Sequence, residues 1–332
     1  MKTKLLKIKE LPIILILIVI SIIISVANPA FMTLENFLDI LKSNLVLAIM
    51  SMGMLMVMLT GGIDVSVSSV ITAVAVITGY SLMHWSSNLL FTILVAVLSG
   101  TVMGLFNGLL IAKLKIPPIV ATLGTMSVIL GLVLYITNGT WMTGIPEKFI
   151  DFGRKKLITF PTGDGKALGI PIQFLFLLVA VLATWFILRK TVIGRGIYAI
   201  GGNRDSAERM GFKPDRIIIF VYAFEGFLIG LAAVAHTSIM RQVDPNAFLG
   251  FEMQVIAAVV LGGASVLGGY GSILGTLIGV SLFCVINNGL ILMHIPTFWQ
   301  KIVVGLIIIG SISIDMTQKK RTERNKTRVD VE

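Results

Sequence analysis

Long apolar runs alternate along the chain with short polar, glycine-rich stretches, and this pattern predicts helices that cross a membrane. A helix needs about 20 apolar residues to cross the hydrocarbon core of a bilayer. Ten runs approach this length, and they cover residues 11–27, 44–60, 66–82, 89–112, 118–137, 172–188, 217–239, 253–267, 271–292 and 299–314. The runs 66–82 and 253–267 are the least regular, because the first opens with serines and the second is short and contains two adjacent glycines. We therefore predict an all-α polytopic membrane helix bundle of about ten transmembrane helices, within a range of about eight to ten.

The composition agrees with this class and excludes several others. Hydrophobic residues make up 56% of the chain and charged residues only 13%, whereas a soluble domain has about 25% charged residues. One cysteine, Cys284, and three histidines are too few for a disulfide framework or a metal site. The sequence also lacks a phosphate-binding G-x-x-x-x-G-K-[ST] motif. We therefore predict no catalytic residue, no metal and no cofactor, and any ATP hydrolysis must come from a partner.

The basic residues predict the orientation of the helices, because positively charged flanks are retained on the cytoplasmic side of a membrane. They concentrate in four segments, which are 1–9, 113–117, 189–216 and 315–332. Ten crossings place all four segments, and both termini, in the cytoplasm. The exception is the external loop 139–170, which contains Arg154, Lys155 and Lys156. The net charge of +10 thus follows from topology and does not indicate nucleic-acid binding. We interpret 1–332 as one membrane-spanning domain with a charged cytoplasmic tail at 315–332.

The cytoplasmic segment 189–216 has the pattern of a short capped helix. Asn203 suits the N-cap, Asp205 and Glu208 favour the positive end of the helix dipole, and Gly211 suits the position after the last turn. An apolar ridge on this charged surface would consist of Ala207, Met210 and Phe212. Such a helix could dock into a groove of another protein, and the alternative is a loop that only joins two crossings.

Two acidic residues lie at unusual places in the predicted bundle. Asp64 belongs to the glycine-rich segment 60–66 between two apolar runs. Irregular backbone near membrane depth survives only where protein or a water-filled path surrounds it, so this segment indicates a conduit. The Asp64 carboxylate could cap the helix that follows or line the path. Glu225 lies within the run 217–239, where it is a pathway residue, one partner of a buried polar pair, or a group near the cytoplasmic surface.

Four motifs, taken in order, resemble the permease subunits of bacterial ABC importers for ribose and related sugars. Segment 60–66, Thr-Gly-Gly-Ile-Asp-Val-Ser, is similar to that family's TGGIDLSVGS signature. Segments similar to its other signatures are 104–108 with 115–125, 194–211, and 257–263 with 268–272. The resemblance covers about residues 10–315. The chain departs from the family pattern at Ser68, Glu208 and Glu225.

The resemblance implies a permease that works with cytoplasmic ATPase subunits, an extracytoplasmic solute-binding protein and a second permease chain. It implies that segment 189–216 receives the movement of the ATPase, through Arg195, Gly201, Gly202, Asn203, Ala207, Met210 and Gly211. The turns around Asp64 and 261–272 would form an inner gate. The candidate residues of the path and gate are Asp64, Asn107, Thr122, Thr125, Gly262, Gly263 and Asn288. Their amide and hydroxyl groups could instead bond neighbouring helices, and the glycines could serve close helix packing.

Two other function classes stay open, and the substrate is not fixed. A secondary transporter would need carboxylates in mid-helix to bind a coupling ion, and Glu225 is the candidate. A membrane-embedded enzyme would need a cluster of catalytic groups, which the sequence does not display. Segments 138–146 and 295–299 resemble the autoinducer-2 importers of the family, whereas the rest suits ribose or another pentose or hexose. The expected location is the bacterial cytoplasmic membrane.

Overall fold

The computed structural model describes residues 10–161, 167–296, 298–303, 305, 306, 309, 310 and 313. The expectations for the basic N-terminal flank and for the tail 315–332 lie outside the described residues. The predicted run 299–314 is described only in part, and its described residues, 299–303, 305, 306, 309, 310 and 313, are helical.

The described chain is largely α-helical, as the apolar runs predict. Its helices are α1 (Leu11–Ala27), α2 (Leu34–Ser43), α3 (Leu45–Leu59), α4 (Val67–His84), α5 (Leu89–Lys113), α6 (Pro118–Thr137), α7 (Glu147–Arg154), α8 (Phe174–Lys190), α9 (Val192–Gly202), α10 (Arg204–Arg209), α11 (Pro214–Met240), α12 (Phe251–Leu261) and α13 (Ile273–Leu292). A 3-10 turn at Pro29–Met32 separates α1 from α2. Two strands, β1 (Lys156–Pro161) and β2 (Ala167–Pro171), form an antiparallel hairpin.

Five of these helices, α4, α5, α6, α11 and α13, are each long and apolar enough to cross a membrane. Two bent pairs, α2 with α3 at 46° and α8 with α9 at 77°, raise the number to seven if each pair is one crossing. Every predicted run from 11–27 to 271–292 contains one helix, so the membrane bundle itself is confirmed. In the described residues, length and composition support five to seven crossings, fewer than predicted, because α1 has 17 residues and α12 only 11.

Local side-chain and glycine chemistry explains where two of these helices begin or end. The hydroxyl of Thr191 accepts a hydrogen bond from the Gly194 N–H at 3.1 Å, which starts α9 as a new helix after α8. Helix α12 ends at Leu261, and Gly263 follows at φ +80°, a conformation that glycine adopts without steric cost. The predicted run 253–267 therefore holds a short helix followed by an irregular turn.

Helices α3 and α11 form the centre of the bundle. Every residue of α3 is buried, and α11 is buried along most of its length. Helix α5 packs along α11 through glycines spaced four residues apart, which are Gly100, Gly104 and Gly108 on α5 and Gly226 and Gly230 on α11. A Cβ atom at Gly104 would overlap the carbonyl oxygen of Tyr222. Small residues at this spacing let helix backbones approach closely, which is a main source of helix adhesion in lipid.

The loop 139–170, predicted as an irregular external connection, contains α7 and the hairpin. Strand β1 reads Lys-Leu-Ile-Thr-Phe-Pro, which is rich in the β-branched and aromatic residues that favour strands. Gln173 ties the end of this region to the bundle, because its Nε2 donates to the carbonyl oxygen of Gly153 at 3.0 Å and to the hydroxyl of Ser238 at 2.9 Å. The all-α prediction is thus correct for the bundle but missed this hairpin.

Candidate gate and coupling surface

The turn between α3 and α4 is the first element of the candidate gate. Gly61 follows the end of α3 and has φ +82°, a backbone conformation that glycine adopts without steric cost. The Asp64 carboxylate accepts hydrogen bonds from the N–H and the hydroxyl of Ser66, at 2.7 and 2.6 Å. Ser66 is the residue just before α4, so Asp64 fixes the entry to this helix, but no side chain caps the first turn of α4. The Asp64 side chain is 3% exposed, and burial raises the pKa of this carboxyl above its ordinary value, whereas the bonds from Ser66 act in the opposite direction.

Helices α5 and α6 hold this turn from the side. Asn107 of α5 donates from Nδ2 to the Ser66 hydroxyl at 2.8 Å. The Thr122 hydroxyl of α6 accepts from the Val65 N–H at 3.1 Å. Three predicted path residues, Asp64, Asn107 and Thr122, therefore converge on one buried turn.

The remaining polar candidates bond their own or neighbouring helices. The Thr125 hydroxyl donates to the Thr122 carbonyl oxygen at 3.1 Å within α6. Asn288 of α13 and Asn36 of α2 exchange amide hydrogen bonds of 2.8 and 3.1 Å. Asn288 thus joins two helices and makes no hydrogen bond to the turn at 60–66, in agreement with the alternative role of bonding neighbouring helices.

The turn between α12 and α13 is the second element of the candidate gate, and it lies directly against the first. The Gly269 N–H donates to the carbonyl oxygen of Leu59 at 2.9 Å. A Cβ atom at Gly268 would lie 2.7 Å from the backbone nitrogen of Gly61. Gly262 packs against Gly275 in the same manner, since a Cβ there would lie 2.5 Å from the Gly275 carbonyl oxygen. The two predicted gate turns therefore form one packed unit.

Helix α9 contacts both turns at a single point. A Cβ atom at Gly201 would overlap the Leu59 carbonyl oxygen and the Gly269 nitrogen, which are already bonded to each other. We call the residues Leu59, Gly61, Gly201, Gly268 and Gly269 the glycine junction. The side chain of Tyr198 adds a hydrogen bond from its hydroxyl to the Gly271 carbonyl oxygen at 3.2 Å. The sequence placed these segments on the same side of the membrane, but it did not predict that they touch.

Helix α10 has the predicted caps but a different exposed surface. Asn203 accepts from the Ser206 N–H at 2.8 Å, and Gly211 has φ +89°, so both cap predictions are confirmed. Met210 is 66% exposed, whereas Ala207 is fully buried and Phe212 half-buried. The inclusion of Ala207 in an exposed ridge was wrong, because its side chain attaches α10 to its own chain. The exposed residues among the predicted coupling set are Arg195, Gly202, Asn203, Met210 and Gly211.

A cavity of about 260 Å³ lies between the α3–α4 turn, the α5–α6 loop and the N-terminal end of α11. Its lining includes Gly62, Ile116, Ile200, Arg204 and Tyr222. An ion-pair cross-link lies beside it, in which Asp215 of α11 binds Lys115 at 2.6 Å and Arg204 at 3.0 Å. This cross-link connects α10 to the α5–α6 loop, so the coupling segment is attached to the bundle by charge as well as by backbone packing.

Two acidic side chains are buried in the bundle. The sequence left the position of Glu225 open and gave no prediction for Glu252. Glu225 is 1% exposed and faces Gly53 of α3, and neither of its carboxyl oxygens has a hydrogen-bond partner. Glu252 was missed. It borders a small pocket of about 70 Å³ that is also lined by Ser68, Ser69 and Thr72, and its Oε2 has no partner. The signal for Glu252 was a carboxylate at the edge of the apolar run 253–267.

Comparisons with known proteins identify the family. The model described as "Branched-chain amino acid transport system / permease component" matches residues 36–312. The ribose import permease protein RbsC of Haemophilus influenzae is 36% identical over 299 residues, which are 90% of this chain and 90% of that protein. RbsC of Bacillus subtilis is 37% identical over 301 residues, with 90% coverage of each. The autoinducer 2 import system permease protein LsrC of Yersinia pestis is 34% identical over 303 residues, 91% of this chain and 83% of that protein. Comparison with solved structures gives no significant match.

These matches extend over nearly the whole helical bundle and over each of the two gate turns and the coupling segment. An apolar helical bundle whose glycine-rich turns pack against each other also agrees with a multi-pass membrane protein. The chain therefore belongs to the branched-chain amino acid transport system / permease component family, and it is the translocation subunit of an ABC importer.

Proposed function

We propose that this chain, together with a second permease chain, forms the path of an ATP-driven importer in the bacterial cytoplasmic membrane. The observation that carries the proposal is the glycine junction, in which α9 touches both gate turns. A displacement of α9 from the cytoplasmic side would reach both turns through packed backbone. A permease that is driven by a separate ATPase subunit needs such a connection, because the energy enters at one surface and acts at another.

The ATPase subunit docks on the exposed surface of α9 and α10. Met210 supplies an exposed apolar side chain, and Arg195 supplies a charge on the same segment. A short helix with this character suits a groove in a partner protein. In this arrangement the segment 189–216 and both termini are cytoplasmic, about ten helices cross the membrane, and an extracytoplasmic solute-binding protein delivers the solute to the opposite face.

Asp64, Asn107, Thr122 and Thr125 shape the inner part of the path, and Gly262 and Gly263 allow the second turn to move with the first. The support is their position around two turns that are packed against each other. Amide and hydroxyl groups at such a constriction can bind a passing polyol and then release it. Asn288 acts as a helix-pairing residue.

The substrate that we propose is ribose, a related monosaccharide, or autoinducer-2. Relatives named as ribose and autoinducer-2 import permeases match the chain at 34–37% identity and over similar lengths. The decisive experiment compares uptake of radiolabelled ribose and of labelled autoinducer-2 by cells with and without this gene. Loss of uptake of one solute on deletion, and its return on complementation, supports the proposal. Unchanged uptake of both solutes, and of a panel of pentoses and hexoses, contradicts it.

A secondary transporter is the second candidate, and the observation that favours it is Glu225, a buried carboxyl in α11 whose two oxygens have no hydrogen-bond partner. Purified chain in liposomes separates the two functions. An ATP-driven permease accumulates no solute without its partners and nucleotide. Solute accumulation that follows an imposed proton or sodium gradient in the absence of both would show a secondary transporter.

A further inference from the structure

A small polar pocket lies near the starts of α4 and α12. Three hydroxyl-bearing residues of α4, Ser68, Ser69 and Thr72, line it together with Glu252 of α12. All four are buried, and the most exposed of them, Glu252, retains 8% of its accessible surface. The pocket connects the two elements of the candidate gate, because α4 follows the first gate turn and α12 precedes the second.

The carboxyl group of Glu252 is not satisfied by the protein around it. Its Oε2 has no hydrogen-bond partner, and the described residues that line the pocket include no Lys, Arg or His. Glu252 lies in the first turn of α12, where the helix dipole favours an acidic side chain, but a dipole offsets only part of the cost of burying a carboxylate. Buried charges in proteins are paired or bind metal ions. The pocket therefore needs a positive charge from outside the chain.

The hydroxyl groups of α4 present acceptors to the pocket. The Ser69 hydroxyl donates to the Ser66 carbonyl oxygen at 2.8 Å, and the Thr72 hydroxyl donates to the Ser68 carbonyl oxygen at 2.7 Å. A hydroxyl has one proton and two lone pairs, so both oxygens can still accept but have no proton left to donate. Hydroxyl and carboxylate oxygens are ligands that suit hard cations.

The size of the pocket and its single carboxyl restrict the occupant. The volume is about 70 Å³, and a water molecule takes about 30 Å³ in the liquid. The pocket thus has room for a small cation with a water molecule, but not for a monosaccharide. One monovalent ion neutralises the one carboxylate, whereas a divalent ion would leave an excess positive charge in a buried site, which is unfavourable.

We propose that Glu252, Ser68, Ser69 and Thr72 bind one monovalent metal cation, sodium or potassium, and that this ion joins α4 to α12. Loss of the ion leaves an uncompensated buried charge and weakens the contact between the two helices that enter and leave the gate turns. The inference concerns the chain by itself and does not rest on the proposed function. Binding of the ion does not imply that its gradient drives transport.

Thermal unfolding of the purified full chain in detergent tests the proposal. Melting temperatures are compared in choline chloride, sodium chloride and potassium chloride at equal ionic strength, so that screening of exposed charges is the same in each. An ion that binds only the folded chain stabilises it by mass action. We expect sodium or potassium to raise the melting temperature by about 2–5 °C at 100 times the dissociation constant. Equilibrium dialysis with a radioactive form of the stabilising ion should find one ion bound per chain.

Two variants remove single groups from the pocket with little change of shape. Glu252→Gln removes the charge, so in choline chloride it should melt at or above the wild-type temperature, and it should lose the rise in sodium or potassium chloride. A role of Glu252 in packing alone would not give this reversal between salts. Thr72→Val removes one ligand oxygen and should raise the ion concentration that gives half of the rise by at least about tenfold.

Matched control variants should respond to the salts as the wild type does. Thr78→Val changes another buried threonine of α4, whose hydroxyl forms the same kind of bond, to the Val74 carbonyl oxygen at 2.7 Å. Glu208→Gln neutralises an exposed glutamate of α10. Neither Thr78 nor Glu208 lines the pocket.

The wild-type measurement alone can overturn the proposal, so the test does not rest on the folding of a variant. Equal melting temperatures in choline, sodium and potassium chloride would show that no such ion binds. A rise that survives in Glu252→Gln would place the ion elsewhere in the chain. Stabilisation by calcium or magnesium, and not by sodium or potassium, would contradict the assignment of a monovalent ion. None of these measurements requires an ATPase, a binding protein or transport, so a negative result leaves the proposed function unchanged.

Discussion

Gly201 and Gly202 are adjacent in α9, but the structure predicts opposite consequences for replacing them with alanine. A Cβ at Gly201 would overlap the Leu59 carbonyl oxygen and the Gly269 nitrogen, whereas nothing lies within 4 Å of a Cβ at Gly202. The overlapping atoms at Gly201 are backbone, and they already form a hydrogen bond of 2.9 Å. The turn or the helix must therefore move to accept a single methyl group.

Overpacking of this kind costs roughly 1–3 kcal/mol. An energy of that size changes an equilibrium about 5- to 150-fold, here the equilibrium between the packed and the separated glycine junction. Alanine favours a helix over glycine by about 1 kcal/mol at either position, so helix propensity cannot explain a difference between the two variants. We expect Gly201→Ala to lower solute uptake by at least about fivefold, and Gly202→Ala to stay within about twofold of the wild type.

The assay is ATP-dependent solute uptake by cells that carry the complete transporter, normalised to the amount of chain in the membrane fraction. Membrane levels should be similar for both variants, since neither change alters an apolar run. ATP hydrolysis should continue in the Gly201→Ala transporter while uptake falls. Normal uptake by Gly201→Ala, or equal loss in both variants, would refute the assignment of the junction as the connection between α9 and the gate.

Three further predictions concern the coupling surface and the helix packing. Asp215→Asn removes the charge that binds Lys115 and Arg204, and we expect proteolysis to cleave segment 189–216 faster, with a smaller difference from the wild type in high salt because salt screens exposed ion pairs. Arg195→Glu places a negative charge on exposed α9, and we expect lower ATPase binding in pull-down assays with unchanged membrane levels. Gly104→Leu should lower the melting temperature in detergent, because α5 must separate from α11, whereas Gly124→Leu, where nothing lies within 4 Å of a Cβ, should leave it near the wild-type value.

Local features of the gate region could be predicted from the sequence because they depend on a few neighbouring residues. Asn203 caps α10 through a bond from the residue three positions on, and Asp64 binds Ser66, the residue just before α4, in the same local way. Gly211 ends α10 with a positive φ for the same local reason. Each apolar run from 11–27 to 271–292 likewise contains one helix, whereas α2 and α9, which pair with α3 and α8, lie outside the runs.

Contacts between distant segments could not be predicted in this way. The position of Glu225 against Gly53 depends on how α11 packs against α3, and no local pattern encodes that register. The burial of Ala207 has the same cause, since its small side chain is apolar enough for an exposed ridge or for a core. The hairpin β1–β2 was missed because a short strand in a polar loop has weak periodicity and depends on its partner strand.

The turn at 60–66 is held in two ways that respond differently to a movement of α9. Close backbone packing at the glycine junction transmits a displacement of α9 to the turn, and this contact weakens only if the packed backbones move apart. The bonds to Asn107 and Thr122 are neutral hydrogen bonds, which break or persist with geometry. The glycine junction therefore carries a displacement of α9 to the turn, and the bonds to Asn107 and Thr122 resist the movement until their geometry fails.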